Sequence, residues 1–156
     1  MHALNVPLGP RSYPVLIGRG VLGQEDLLAS YLDGRQVFIL SDHNVAPLWL
    51  KPLQSALADY DVAVHLIPPG ESEKNLETLS VVFDVLAENH FNRDATVLAL
   101  GGGVVGDIAG FAAACWQRGV GFIKLPTTLL AQVDAAVGGK TAVNIPAGKN
   151  LVGAFH

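Results

Sequence analysis

Thr96-Val97-Leu98-Ala99-Leu100-Gly101-Gly102-Gly103-Val104-Val105-Gly106-Asp107 is the stretch whose reading decides the fold. Val97 to Leu100 are continuously apolar, as expected of a strand covered on both faces in a parallel sheet with helices on either side. The glycines that follow mark a strand-to-helix turn, where bare backbone approaches a ligand closely and presents free N–H groups to it. The partial positive charge of the helix start makes a pyrophosphate the natural guest. Gly101, Gly103 and Gly106 match G-x-G-x-x-G. That fingerprint ordinarily occupies the first βα turn, with an acidic residue about 20 positions further on. Here it follows roughly three βα units, and the acid, Asp107, comes at once. Tight helix–sheet packing also explains the glycines, so the motif alone leaves both readings open.

Working outward, β-rich runs alternate with segments of helical period. Strands are expected at Tyr13–Ile17, Gln36–Leu40, Val62–Ile67, Thr96–Leu100 and Gly121–Leu125. Helices are expected at Gly20–Leu32, Val45–Tyr60, Asn75–Asn89, Val104–Gln117 and Thr127–Val137. Such alternation predicts a Rossmann-like, doubly wound α/β domain with a mostly parallel sheet. In the third helix, Leu76, Leu79, Val82, Phe83 and Leu86 form one apolar face, with Glu73, Asn75, Glu77 and Glu88 off it and solvated.

The 156 residues fit one domain, and half of them are apolar with only 15% charged, which excludes a disordered chain. A net charge of −4 offers no basic field for nucleic acid, so a phosphate-bearing ligand needs a few placed cations instead. No run of about 18 residues lacks a charge or a breaker, which argues against a membrane span. Without a signal-like start, and with Cys115 alone, a cytoplasmic location is the expectation. Cys115 reads as a core residue within an apolar helix, not as a nucleophile.

Three further places carry candidate chemistry. Ser41-Asp42-His43-Asn44 ends a strand, where Asp42 either accepts from a ribose hydroxyl or caps the next helix. Pro68-Pro69-Gly70-Glu71-Ser72-Glu73-Lys74 is a rigid exit in which Lys74 is out of place, since a cation is unfavourable at a helix start and calls for another partner. From Arg118 to Asn150, Pro126-Thr127-Thr128 offers hydroxyls at a strand end. In the same stretch Asp134 sits in a small, apolar helix where burial would be costly. Gly138-Gly139-Lys140 ends that helix with a cation on a flexible turn, and Lys149 follows without local acids. Arg118, Lys140 and Lys149 with one carboxylate look like an anion site, against the alternative of scattered solubilising charge. His2, His43, His65, His90 and His156 show no metal-ligand spacing, and no metal site is expected in this chain.

Taken in order, Gly-Gly-Gly-Val-Val-Gly-Asp, Gln-Arg-Gly, Pro-Thr-Thr-Leu-Leu, Gln-Val-Asp, Gly-Gly-Lys-Thr and Gly-Lys-Asn-Leu-Val-Gly-Ala-Phe resemble the 3-dehydroquinate synthase family. The likeness extends back to Asp42-His43-Asn44 and Pro69-Gly70-Glu71-x-x-Lys74, departing at Ser72-Glu73, where members often carry Gln-Tyr. It implies an NAD-binding N-terminal domain, a helical C-terminal domain, a zinc or cobalt ion between them, and a homodimer. The resemblance places Asp42, Asn44, Gly70, Glu71 and Lys74 on the nucleotide. It also implies Gly102, Gly103, Val104, Val105, Gly106 and Asp107 around the pyrophosphate and nearby ribose, and Thr127, Thr128 and Leu130 along the same cleft. Asp134, Lys140, Lys149 and Asn150 would face substrate and nicotinamide, and Arg118 would reach the substrate phosphate of the partner subunit. The implied reaction converts 3-deoxy-arabino-heptulosonate 7-phosphate into 3-dehydroquinate and phosphate, a carbon–oxygen lyase step of the shikimate pathway.

The family's metal ligands, one glutamate and two histidines, fall after the last residue here. The apolar Leu151-Val152-Gly153-Ala154-Phe155 before His156 also has no polar tail. The chain is therefore expected to be a fragment that binds NAD but is inactive alone, with an apolar face left for the second domain. Other sugar-phosphate cyclases and metal-dependent glycerol dehydrogenases share the architecture, and Gly-Gly-Lys-Thr with Gly-Lys-Asn favours the cyclases. A stand-alone nucleotide-binding module is the reading from a different class.

Overall fold

The continuously apolar runs form the middle of the molecule. In chain order the computed structural model, which describes residues 1–156, has β1 (His2–Val6), β2 (Tyr13–Ile17), α1 (Glu25–Ala29), β3 (Gln36–Asp42), α2 (Ala46–Ala56), β4 (Asp61–Ile67) and α3 (Leu76–Glu88). There follow β5 (Thr96–Gly101), α4 (Gly103–Cys115), β6 (Gly121–Pro126), a π-helical turn at Ala131–Ala135, β7 (Lys140–Ile145) and β8 (Gly148–Phe155). Four strands form one sheet in the order β4-β3-β5-β6, and every pair in it is parallel. β1 with β2, and β7 with β8, make separate antiparallel ribbons. The sheet confirms the α/β class, and no helix is long and apolar enough to cross a membrane.

Alternation along β3 and β5 shows why both faces had to be apolar. Phe38, Leu40, Val97 and Ala99 pack with Leu79, Val82 and Leu86 of α3 and Ile108, Ala109 and Ala112 of α4. Val37, Ile39, Leu98 and Leu100 point the other way, onto Leu28 of α1, Leu53 and Ala56 of α2, and Leu57. The result is three layers with the sheet in the middle, the arrangement that hides parallel strands from water. α3 starts where Asn75 Oδ1 accepts from Thr78 N at 2.8 Å, an N-cap.

Several expectations need correction. Leu76 is exposed, and the buried face of α3 takes Thr78 in its place. Glu77 and Glu88 are solvated as expected, whereas Glu73 and Asn75 are half-buried. The span read as a first helix keeps only Glu25–Ala29, because Gly20 adopts φ +69° and breaks the chain into a short 3-10 turn first. Cys115 closes α4 and is exposed, so it is not a core residue. β1, β7 and β8 carried no readable period: four of the five β1 side chains are exposed, and β8 is largely exposed too. The apolar end of the sequence is β8, which pairs with β7 and sends Val152 onto the core.

Gly110 lets the β7–β8 ribbon approach α4. A Cβ there would lie 2.3 Å from Thr141 Cγ2 and 2.8 Å from Phe122 Cε1, and Thr141 is buried. Gly106, one turn earlier, has nothing within 4 Å of an added Cβ. Gly110→Ala is expected to destabilise by up to about 2 kcal/mol, since overpacking at about 1–3 kcal/mol is offset by a helix-propensity gain of about 1 kcal/mol. Gly106→Ala should keep that gain and be neutral or stabilising. Urea unfolding of the two variants beside the wild type checks the pair, and equal effects would refute the close-approach account.

Candidate functional site

Parallel strands end on the same side, so β3, β5 and β6 deliver Asp42, Gly101 and Pro126 to one sheet edge. Ser41 Oγ donates to Leu100 O at 2.7 Å, and Thr127 N donates to Gly101 O at 3.0 Å, which ties the three strand ends together. Gly102 is the N-cap of α4 and has no side chain to offer, so no side chain caps the first turn. The first intrahelical bond at this end is Gly106 N to Gly102 O, 3.0 Å, leaving the amides of Gly103, Val104 and Val105 without an acceptor inside the helix. The Val105 side chain is buried in the core, so only its backbone is available to a ligand.

The Thr128–Ala136 stretch passes over this turn. An added Cβ at Gly102 would lie 3.2 Å from Thr128 Cγ2, and one at Gly103 would lie 3.4 Å from Ala135 Cβ. The space enclosed between glycines and segment is about 10 Å³, lined by Gly101, Gly102, Gly103, Gly106, Lys124 and Ala135 among others. That is room for roughly one water and too little for a pyrophosphate. A larger guest would sit at the mouth of the turn. A more open groove of about 340 Å³ lies elsewhere, beside Glu73, Asn75 and Glu77, and its carboxylates suit no anionic ligand.

Lys74, the cation out of place in the sequence, is only 6% exposed, and its Nζ is paired with Asp107 Oδ2 on the first turns of α4. A buried ammonium requires such a partner. Lys124, on β6, was not singled out in the sequence. Its Nζ donates to Ala135 O at 3.2 Å and Gly138 O at 3.1 Å. Burial pushes its pKa down, and the neighbouring Asp107 carboxylate partly offsets this. Thr127 Oγ1 is buried with no hydrogen-bond partner, and an orphaned hydroxyl of that kind costs about 1–3 kcal/mol. It stands at the sheet edge beside Gly101, where a ligand would satisfy it.

A second group forms around the end of the β7–β8 ribbon. Asn144 N donates to Lys74 O at 2.8 Å, and its Nδ2 donates to Glu71 Oε1 at 2.8 Å. Asn144 Oδ1 accepts from Asn150 N at 2.9 Å, so one unforeseen residue joins Glu71 and Asn150. Asn150 is held at φ +56°, and Gly70 at φ +124° makes the turn into Glu71. Lys140, Lys149 and Asn150 are exposed on the ribbon. Lys140 opens β7 and does not sit on a flexible turn. Asp134 is exposed on the π-helical turn, so no burial cost arises for its carboxylate. Thr128 and Leu130 are exposed on the same stretch, and Thr128 Oγ1 accepts from Ala131 N at 3.1 Å.

Asp42 is not the helix cap: its Oδ1 accepts from the N–H groups of Asn44 at 2.8 Å and Val45 at 2.9 Å within the turn before α2, whose N-cap Val45 has no side-chain cap, and Asn44 itself is exposed. Nearby on β4, burial and His43 keep the pKa of His65 below the ordinary histidine value. Arg118 does not join the cluster. It lies beyond the other end of α4, about 20 Å from the glycine turn at 1.5 Å per helical residue, exposed and at φ +70°. No group of three or more His, Cys, Asp or Glu side chains could hold a metal ion.

A family model described as 3-dehydroquinate synthase N-terminal matches residues 64–156. The 3-dehydroquinate synthase of Hydrogenovibrio crunogenus is 56% identical over the whole chain, and that of Pseudomonas fluorescens strain SBW25 is 58% identical. The chain spans 44% and 43% of the lengths of those relatives. Among solved structures, 2-deoxy-scyllo-inosose synthase, complexed with carbaglucose-6-phosphate, NAD+ and Co2+, superposes with a TM-score of 0.89 at 28% identity. That match covers 99% of this chain and 42% of that one. The 2-epi-5-epi-valiolone synthase of Streptomyces hygroscopicus subsp. jinggangensis, with NAD+ and Zn2+ bound, gives 0.72 at 39% identity over 83% of this chain and 36% of that one. A glycerol dehydrogenase from Schizosaccharomyces pombe, at 20% identity and a TM-score of 0.66, shares the fold. More than half of the chain fits the family model and all of it aligns with curated members, so this protein belongs to the 3-dehydroquinate synthase family.

Proposed function

We propose that residues 1–156 are the NAD-binding domain of a 3-dehydroquinate synthase that acts on 3-deoxy-arabino-heptulosonate 7-phosphate. The observation that carries this reading is the uncapped first turn of α4, with bare amides at Gly103, Val104 and Val105 beside the orphaned hydroxyl of Thr127. Amides without acceptors at a helix start favour an anion, and an unsatisfied hydroxyl beside them favours a ligand with further oxygens. The NAD+ held by two of the related cyclases is consistent with this.

In this proposal the free amides of Gly103, Val104 and Val105 receive the pyrophosphate, with Gly102 and Gly106 flanking them. The Lys74–Asp107 pair fixes the helix that presents them, and leaves one Asp107 oxygen for a ribose hydroxyl. Asp42, Asn44, Gly70 and Glu71 border the nucleotide from the ends of β3 and β4. Thr127, Thr128 and Leu130 border it from β6 and the segment after it. Bound NAD would supply a reversible hydride acceptor. Asp134 orients a substrate hydroxyl, and Lys140, Lys149 and Asn150 hold the anionic groups of the sugar phosphate. In this reading the two exposed lysines act as charge clamps and not as bases, and Asn150 adds hydrogen bonds. Arg118, pointing away at the far end of α4, serves the phosphate site of a partner subunit in a homodimer.

The residues present do not fit a zinc or cobalt ion, and in this proposal its ligands belong to the part of the full-length enzyme outside residues 1–156. Residues 1–156 alone are accordingly assigned binding without turnover.

Two outcomes are expected. Titration calorimetry of NAD should give saturable binding to the wild-type chain and at least about tenfold weaker binding to Gly103→Val, about 1.4 kcal/mol. Circular dichroism should be unchanged, because the added methyls meet Ala135 and the guest and leave the sheet untouched. Equal affinity in both proteins would sink the glycine-turn assignment. Phosphate release from the sugar phosphate, with NAD and either metal added, should stay at background for residues 1–156; measurable turnover would overturn the division of labour.

A further inference from the structure

The Ala131–Gly138 segment is held in place largely by polar contacts. Among its large apolar side chains, Val133 and Val137 are exposed, as are Leu129 and Leu130 just before it, and of the segment itself only Ala131 is buried. A stretch with so little apolar burial opens easily on its own. Its helix is also irregular: Ala136 N donates to Ala131 O at 2.8 Å, a π-type bond, and Val137 N donates to Asp134 O at 3.0 Å. Helix ends leave orphan carbonyls that need outside donors. Here the donor is Lys124 Nζ, which takes both Ala135 O and Gly138 O. Gly138 N in turn donates to the hydroxyl of Tyr13 at 2.8 Å.

Lys124 has no carboxylate within ion-pair distance: Asp107 is paired with Lys74, and the donors of Lys124 go to the two carbonyls alone. Lys124 lines the same small enclosed space as Gly101, Gly102, Gly103 and Gly106. An anion received by the turn supplies the missing counter-charge and strengthens charge-assisted donation to the two carbonyls.

We propose that Lys124 is a positioning residue that couples anion binding at the glycine turn to closure of the Ala131–Gly138 segment, which carries Asp134 and leads into Lys140. The coupling extends the NAD-binding proposal: occupancy of the turn sets the placement of the groups assigned to substrate. Lys124 itself touches neither ligand in this account.

Amide hydrogen exchange with and without NAD tests the coupling on the 156-residue chain, using wild type, Lys124→Met and Lys124→Arg. In the wild type, NAD is expected to slow exchange at Ala136, Val137 and Gly138 by at least about tenfold. In Lys124→Met these three amides should exchange at least about tenfold faster without ligand, and the slowing by NAD there should vanish, while β3 and β5 keep their protection. Lys124→Arg, which retains charge and donors, should recover part of the slowing. Equal slowing in wild type and Lys124→Met overturns the proposal, as does faster exchange spread evenly over the sheet. If Lys124→Met fails to fold, Lys124→Gln is read by the same criteria. A parallel arm with inorganic pyrophosphate separates the two ideas. If NAD leaves the wild type unbound the nucleotide reading falls, and the response to pyrophosphate then decides the coupling.

Discussion

A parallel sheet hidden on both faces is the constraint from which the rest of this protein follows. Evenly spaced parallel ladders need crossovers, and the crossovers here lay α2, beside α1, on one face and α3 and α4 on the other. Phe38 and Val37, adjacent in sequence, therefore belong to different cores. Such a sheet presents all of its strand ends on one side, so the polar groups of β3, β5 and β6 meet although they are far apart in the chain. Ser41, Gly101 and Thr127 are joined there by backbone and hydroxyl bonds that no single segment encodes.

Upon that edge sits an unequal set of charges. Burial of Lys74 is tolerable because Asp107 is its partner, and the pair pins the exit of β4 to the start of α4. The neighbouring lysine on β6 has no ion pair and donates instead to two carbonyls of the segment above. A cation without a carboxylate partner, beside a helix start with free amides, is electrostatically incomplete. That incompleteness adds to the uncapped glycine turn in favouring an anionic guest.

Much of this was legible early. β-rich runs alternating with helical periods gave five strands and the α/β class, and Val37–Leu40 and Val97–Leu100 are continuously apolar because a doubly covered strand buries every side chain. The glycine turn was legible for the same local reason, as were the exposed cations of the β7–β8 ribbon. The misplaced Lys74 could be flagged from helix electrostatics, although its partner could not. Asn144 and Lys124 gave weaker signals. Lys124 was visible only as the lone charge in Gly121–Pro126, and the position of Asn144 depends on the pairing of β7 with the largely exposed β8.

What the sequence determined by itself is therefore the periodic and the local: where the strands of the parallel sheet run, that helices cover both of its faces, where bare amides are left at a helix start. The family motifs belong with these, since they are runs of adjacent residues. Tertiary structure alone decided which cation answers Asp107, that Asn144 links Glu71 to Asn150, that Asp134 is solvated, and that Arg118 stands a helix length from the turn. These are contacts between segments separated by tens of residues, or by the length of a helix. Their energies depend on distance and burial after packing, quantities that no local pattern contains.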